Sequence, residues 1–103
     1  MIDQQDRVNR LQSLANAYKR RITLVSQAIQ DQRKHKPRVD AHVIAQNKGL
    51  RRATVARLNA VNTHIQTQGV NLTIDTLVSM ESDYIQQPFE VLTCPVKSNM
   101  KTL

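Results

Sequence analysis

The tightest constraint on this chain is a stripe of apolar residues near its start. Val8, Leu11, Ala15, Tyr18, Ile22, Val25 and Ile29 recur at alternating spacings of three and four. That is an unbroken a/d heptad pattern, and it predicts one long helix with a narrow apolar seam. Leu14 and Ala28 fall beside the seam and widen it. No Gly or Pro interrupts the run from Met1 to Lys36. Asp3 and Asp6 near the start, and Arg33, Lys34, His35 and Lys36 near the end, suit the helix dipole. Pro37 stops the helix, because the residue before a proline is driven out of the α region. The predicted helix covers 3–35. A seam of this width serves either as the core-facing side of a monomer's helix or as a dimer seam, and periodicity does not separate the two.

Beyond Lys36-Pro37-Arg38-Val39, Asp40 is a good N-cap for a second helix, Ala41 to Lys48, with Ile44 and Ala45 inward. Gly49 is expected to break it, since glycine turns left-handed at no steric cost. A third helix is expected from Arg51–Arg52 to about Gln68, with Val55, Leu58, Val61 and Ile65 as its inner stripe and Gly69 just past its end. Thr73 is expected to cap a fourth helix over roughly 74–86, with Ile74, Leu77, Val78 and Ile85 inward and Pro88 ending it. Residues 89–94 read as a short strand or extended arm, and the polar end from Pro95 is expected to fray. The fold class is therefore all-α: a small helical domain with a long N-terminal helix, a C-terminal helix and a short extended arm. Its expected parts are 1–36, a core over 37–87, and an arm over 88–103.

Val, Ile, Leu and Phe make up 27 of 103 residues, enough for a core but a thin one. With Tyr18, Tyr84 and Phe89 as its aromatic residues, the chain lacks a base-stacking platform for single strands. Cys94 stands alone, so no internal disulfide or cysteine-rich zinc site is expected. His35, His42 and His64 form no ligand spacing, and no metal or cofactor is expected. The serines sit in no nucleophile elbow, and two glycines cannot form a phosphate-cradling loop. The expectation is a non-enzymatic protein with no small-molecule ligand and no membrane span, in a bacterial or phage-host cytoplasm.

The charge is uneven. Residues 1–69 hold 13 Lys and Arg against 4 Asp, a net of +9, and residues 70–103 carry a net of −2. From Ala41 to Ile74 there is no Asp or Glu at all. An ordinary solvated surface mixes both signs, whereas a carboxylate-free basic stretch suits a polyanion.

Within that stretch, Ile44-Ala45-x-x-x-Gly49-Leu50-x-x-x-Thr54-Val55-x-Arg57 combines a small residue, a turn glycine and apolar fill at Ile44, Leu50, Val55 and Leu58. Over residues 41–60 this resembles the helix-turn-helix of lac-repressor-type and Cro/C1-type DNA-binding regulators. Arg51 departs from the pattern, standing where Ser or Thr usually caps the second motif helix, and Lys48 stands where a small or apolar residue is common. The resemblance implies a helix starting near Arg51 in the major groove of double-stranded DNA. Arg51, Arg52, Ala53, Ala56 and Arg57 would then reach base edges, with Lys36, Arg38, Gln46, Asn47, Lys48 and Thr54 on phosphates. The implied function is a sequence-specific transcriptional regulator of phage, plasmid or mobile-element type. Such proteins usually act as homodimers, here through the first helix or the segment from Pro88. The alternative is a helical protein-interaction factor, such as an anti-repressor, antitoxin or phage inhibitor, using the Val8–Ile29 seam. A double-stranded RNA or ribosome binder is allowed by the Arg content but supported by no motif.

Overall fold

The computed structural model describes residues 3–35 and 40–93. They form three helices, α1 (Gln4–Lys34), α2 (Ala41–Gln66) and α3 (Ile74–Gln86), followed by an extended segment, 87–93. The fold is all-α, with no strand among the described residues.

Each helix starts at the cap its sequence offers. Asp3 accepts from the Asp6 amide at 2.8 Å, Asp40 from His42 at 2.9 Å and Thr73 from Thr76 at 3.1 Å. After α2 the chain turns through Gln68 and Gly69, both left-handed at φ 54° and 69°. The Gly69 amide donates to the His64 carbonyl at 2.8 Å, closing the helix end. A side chain at Gly69 would be conformationally strained by the left-handed backbone, although its Cβ would find only ordinary contacts with Arg7, Leu11 and Leu72.

The expected break at Gly49 does not occur. Residues 41–66 form one helix, and Gly49 lies inside it without a left-handed backbone. Ala45, expected where two short helices touch, is exposed. The physical reason lies in α1. Its straight seam offers a long apolar partner, and a straight α2 lays Ile44, Leu50, Leu58, Val61 and Ile65 along it. A turn at Gly49 would divide the α2 side chains between two directions, whereas keeping glycine inside a helix costs only about 1 kcal/mol. The helix-turn-helix pattern is thus present in the sequence, but its turn is absent from the fold.

Two apolar clusters fill the body. Leu11, Leu14, Ala15, Tyr18, Val61, Leu72 and Leu77 form the first, flanked by Leu58, Ile65, Met80 and Tyr84. Val25, Ile29 and Ile44 form the second, flanked by Leu50, Phe89 and Val91. Five of the seven seam residues are therefore buried within the chain, and Val8 and Ile22 are half-buried. The seam is consumed by intramolecular packing, so the seam-dimer and seam-partner expectations lose their surface.

α3 runs parallel to α1 and antiparallel to α2. Arg10 meets Glu81, Tyr18 meets Tyr84 and Arg21 meets Gln87, ascending together. Arg57 meets Asp83 and Thr54 meets Gln87, in the opposite sense. Leu77 is buried as expected, but Ile74, Val78 and Ile85 are exposed. The inner face of this short helix runs instead through Leu77, Met80, Glu81 and Tyr84. Ile74, Val78 and Ile85 then fall together on one flank by helical period.

Candidate nucleic-acid interface

The residues expected to touch DNA scatter once the fold is assembled. Asn47 and Thr54, expected on phosphates, are completely buried. Asn47 donates to Gln32 at 3.1 Å and pairs with both main-chain groups of Leu92 at 2.9 Å. Thr54 donates to the Leu50 carbonyl and accepts from Gln87. Arg57, expected on a base, donates to Asp83 at 2.8 Å and to the Ala53 carbonyl at 3.2 Å. Gln46 is exposed and bonded to His42. Ala56 is exposed and Ala53 half-buried, both in mid-helix with no helix start beside them to enter a groove. Lys36 and Arg38 lie outside the described residues, as do Cys94 and the end of the arm.

Lys48, Arg51 and Arg52 remain, and they acquire company from α1. The Arg51 guanidinium approaches the Ser26 hydroxyl at 3.5 Å and ties the two helices together. Around Ser26, Lys19 precedes by seven residues and Arg33 follows by seven, two helical turns each way on the same side. Around Arg51, Lys48 lies one turn before and Val55 one turn after. Half-buried Ile22 and Val55 lie beneath this surface, while Lys19, Arg33 and Arg52 are exposed.

This flank faces away from α3. Arg10 and Arg21, which reach α3 and Gln87, lie about 180° and about 140° round α1 from Lys19 and Ser26 respectively. On α2, Arg57 toward α3 and Lys48 are likewise about 180° apart.

Charge is sorted between the two flanks. α3 and the following segment carry Asp75, Glu81, Asp83 and Glu90. Glu81 pairs with Arg10 and Asp83 with Arg57. The hydrogen bond from Arg10 to Glu81 holds the guanidinium above its usual pKa. Among the described residues, no carboxylate is within ion-pair distance of Lys19, Arg33, Lys48, Arg51 or Arg52. Asp31, the nearest acid on α1, lies about 160° round the helix from Arg33 and faces His35 at 3.9 Å.

Lys19 and Arg33 were missed because they lie outside the acid-free stretch of sequence. The signal that finds them is the seven-residue spacing through Ser26, one step off the apolar seam. No group of three or more potential metal ligands occurs among the described residues, and none of their helices is long and apolar enough to cross a membrane.

Comparison with protein-family models, characterised proteins and solved structures gave no significant match.

Proposed function

We propose that this chain is a non-enzymatic nucleic-acid-binding protein that holds double-stranded DNA by its phosphates. The single observation that carries this is the sorted charge: Lys19, Arg33, Lys48, Arg51 and Arg52 share one flank of the α1–α2 hairpin, while α3 and its extension bring their acids to the other. Unpaired cations on a rigid surface release condensed counterions when they meet a polyanion, and that release drives association. Lys19 to Arg33 spans about 21 Å along α1. That matches about six base-pair steps of duplex at about 3.4 Å each. Because α2 is continuous, no helix starts near Arg51 to enter a major groove, and the contacts proposed are to backbone rather than to base edges.

The test is a titration of labelled mixed-sequence duplex followed by fluorescence anisotropy across a range of salt. Up to five phosphate contacts predict a slope of log K against log salt of about −4 to −5. Affinity should depend only weakly on sequence. No binding at low salt, or a slope near zero, contradicts the proposal.

A second reading, a helical protein-interaction factor, is favoured by one observation. Val78 and Ile85 are 47% and 78% exposed, and Ile85 borders an apolar groove of about 550 Å³ with Ser13, Ala17 and Tyr84. Exposed apolar patches of this kind mark contact surfaces. On this reading the contact is made by α3 and not by the seam of α1.

A further inference from the structure

The extended segment 87–93 is held in a way that ordinary packing does not require. It lies along α1 and α2 toward the α2 N-terminus, with Phe89 and Val91 against Val25, Ile29 and Ile44. At its end, Asn47 reads the main chain of Leu92 on both sides, accepting from its amide and donating to its carbonyl at 2.9 Å each. Gln32 donates to the same carbonyl at 2.7 Å. Asn47 is fully buried and Gln32 is 5% exposed. Buried amides need partners, and here Asn47 and Gln32 bond each other and share the main chain of the extended segment. At the segment's other end, Gln87 is gripped by Arg21 at 2.9 Å and Thr54 at 3.0 Å. A cleft of about 240 Å³ lies beside the segment, between Gln46, Asn47, Leu50 and Leu92.

These features describe a peptide-binding groove: an apolar floor for alternate side chains and an amide clamp for the main chain. Its sequence-independent contacts are as available to an incoming peptide as to the covalently attached one. The attached strap leaves α3 at Gln87, already extended at φ −57° and ψ 122°, and continues through Pro88. Exchange requires a change of direction only at this short hinge. A strap that leaves its own groove uncovers the one surface shaped to fit it, and a second copy of the chain supplies the same ligand.

We propose that the groove between α1 and α2 accepts residues 88–92 from a second copy, giving a strap-exchanged dimer. Reciprocal exchange closes with two-fold symmetry and repeats the contacts that Phe89, Val91 and Leu92 make in the monomer. Exchange is independent of nucleic-acid binding, because the strap lies across the α1–α2 hairpin from Lys48 and Arg51.

The experiment uses two full-length variants. Phe89→Asp with Val91→Asp spoils the strap and leaves the groove. Asn47→Leu with Leu50→Gln spoils the groove and leaves the strap. Sedimentation velocity of each alone should give monomers. An equimolar mixture should give a one-to-one heterodimer, at a level about tenfold or more above either variant alone. A mixture that stays monomeric overturns the proposal, and so does dimer formed by either variant alone. Amide exchange in the unaltered protein supplies a second readout. The Leu92 amide should exchange at least about a hundredfold faster than that of Val61, reporting local release of the strap. Equal rates, or loss of the helical circular dichroism in the strap variant, would make the strap an inseparable part of the core and overturn the proposal equally.

Discussion

The two flanks of the α1–α2 hairpin use the same kinds of side chain to opposite ends. Toward α3, Arg10 and Arg57 close onto Glu81 and Asp83, and Arg21 stacks over Tyr84 at 3.6 Å while bonding its carbonyl. There the guanidinium groups assemble the fold. On the other flank, Lys48 and Arg52 sit on the same helix as Arg57, yet no acid among the described residues meets them. The difference lies in what packs opposite, not in the residues. A net charge of +7 therefore conceals cations with two separate uses, and only the uncommitted ones are available to a polyanion.

The largest effect should come from loosening the committed flank. Leu77 is the one fully buried side chain of α3, and Leu77→Ala should cost about 2–5 kcal/mol in urea denaturation. Duplex affinity of the molecules that remain folded should not fall, because α3 faces away from the basic flank. A proportional loss of binding would erase the distinction between the flanks. Next in size is reversal of the free cations, Lys19→Glu, Arg33→Glu and Lys48→Glu together. The salt slope should shrink by about 3, one for each phosphate no longer neutralised. Stability should move little at the exposed Lys19 and Arg33, within about 0.5 kcal/mol per site.

Gly49→Ala sharpens the comparison from a different side. A methyl group there meets only the far end of Arg52, at 3.9 Å, in a continuous helix. The substitution should stabilise the protein by about 0.5–1 kcal/mol and leave duplex binding intact. A helix-turn-helix with a left-handed glycine would be destabilised instead. The smallest effect belongs to Arg57→Ala. Its ion pair with Asp83 is partly exposed and worth about 0.2–1 kcal/mol in thermal unfolding. Duplex affinity should change by less than about twofold, because the positive charge removed was already paired.

Much of this architecture was legible in the sequence. The caps Asp40 and Thr73 mark helix starts by local chemistry and stand where expected, and Asp3, read as the first residue of its helix, caps it instead. The seam of α1 is equally local. Gly49 misled because its preference is weak, and the straight partner surface that overrides it lies on a different helix, well before it in sequence. Asn47 and Thr54 misled for a related reason. Their polarity suggests a surface, and nothing nearby in the sequence shows that Leu92 and Gln87 will come to meet them. The basic flank was half legible: its α2 members stood out in an acid-free run, but its α1 members depended on the pairing of two helices through Ser26 and Arg51.

The central claim is that duplex DNA meets the flank bearing Lys19, Ser26, Arg33, Lys48 and Arg51 and not the one covered by α3. Amide chemical-shift mapping of the isotope-labelled chain, titrated with a short duplex, tests it most directly. Salt-sensitive shifts should concentrate at those residues and at Arg52, with Asp75 through Tyr84 unmoved. Shifts centred on α3, or spread evenly over the whole chain, would contradict it.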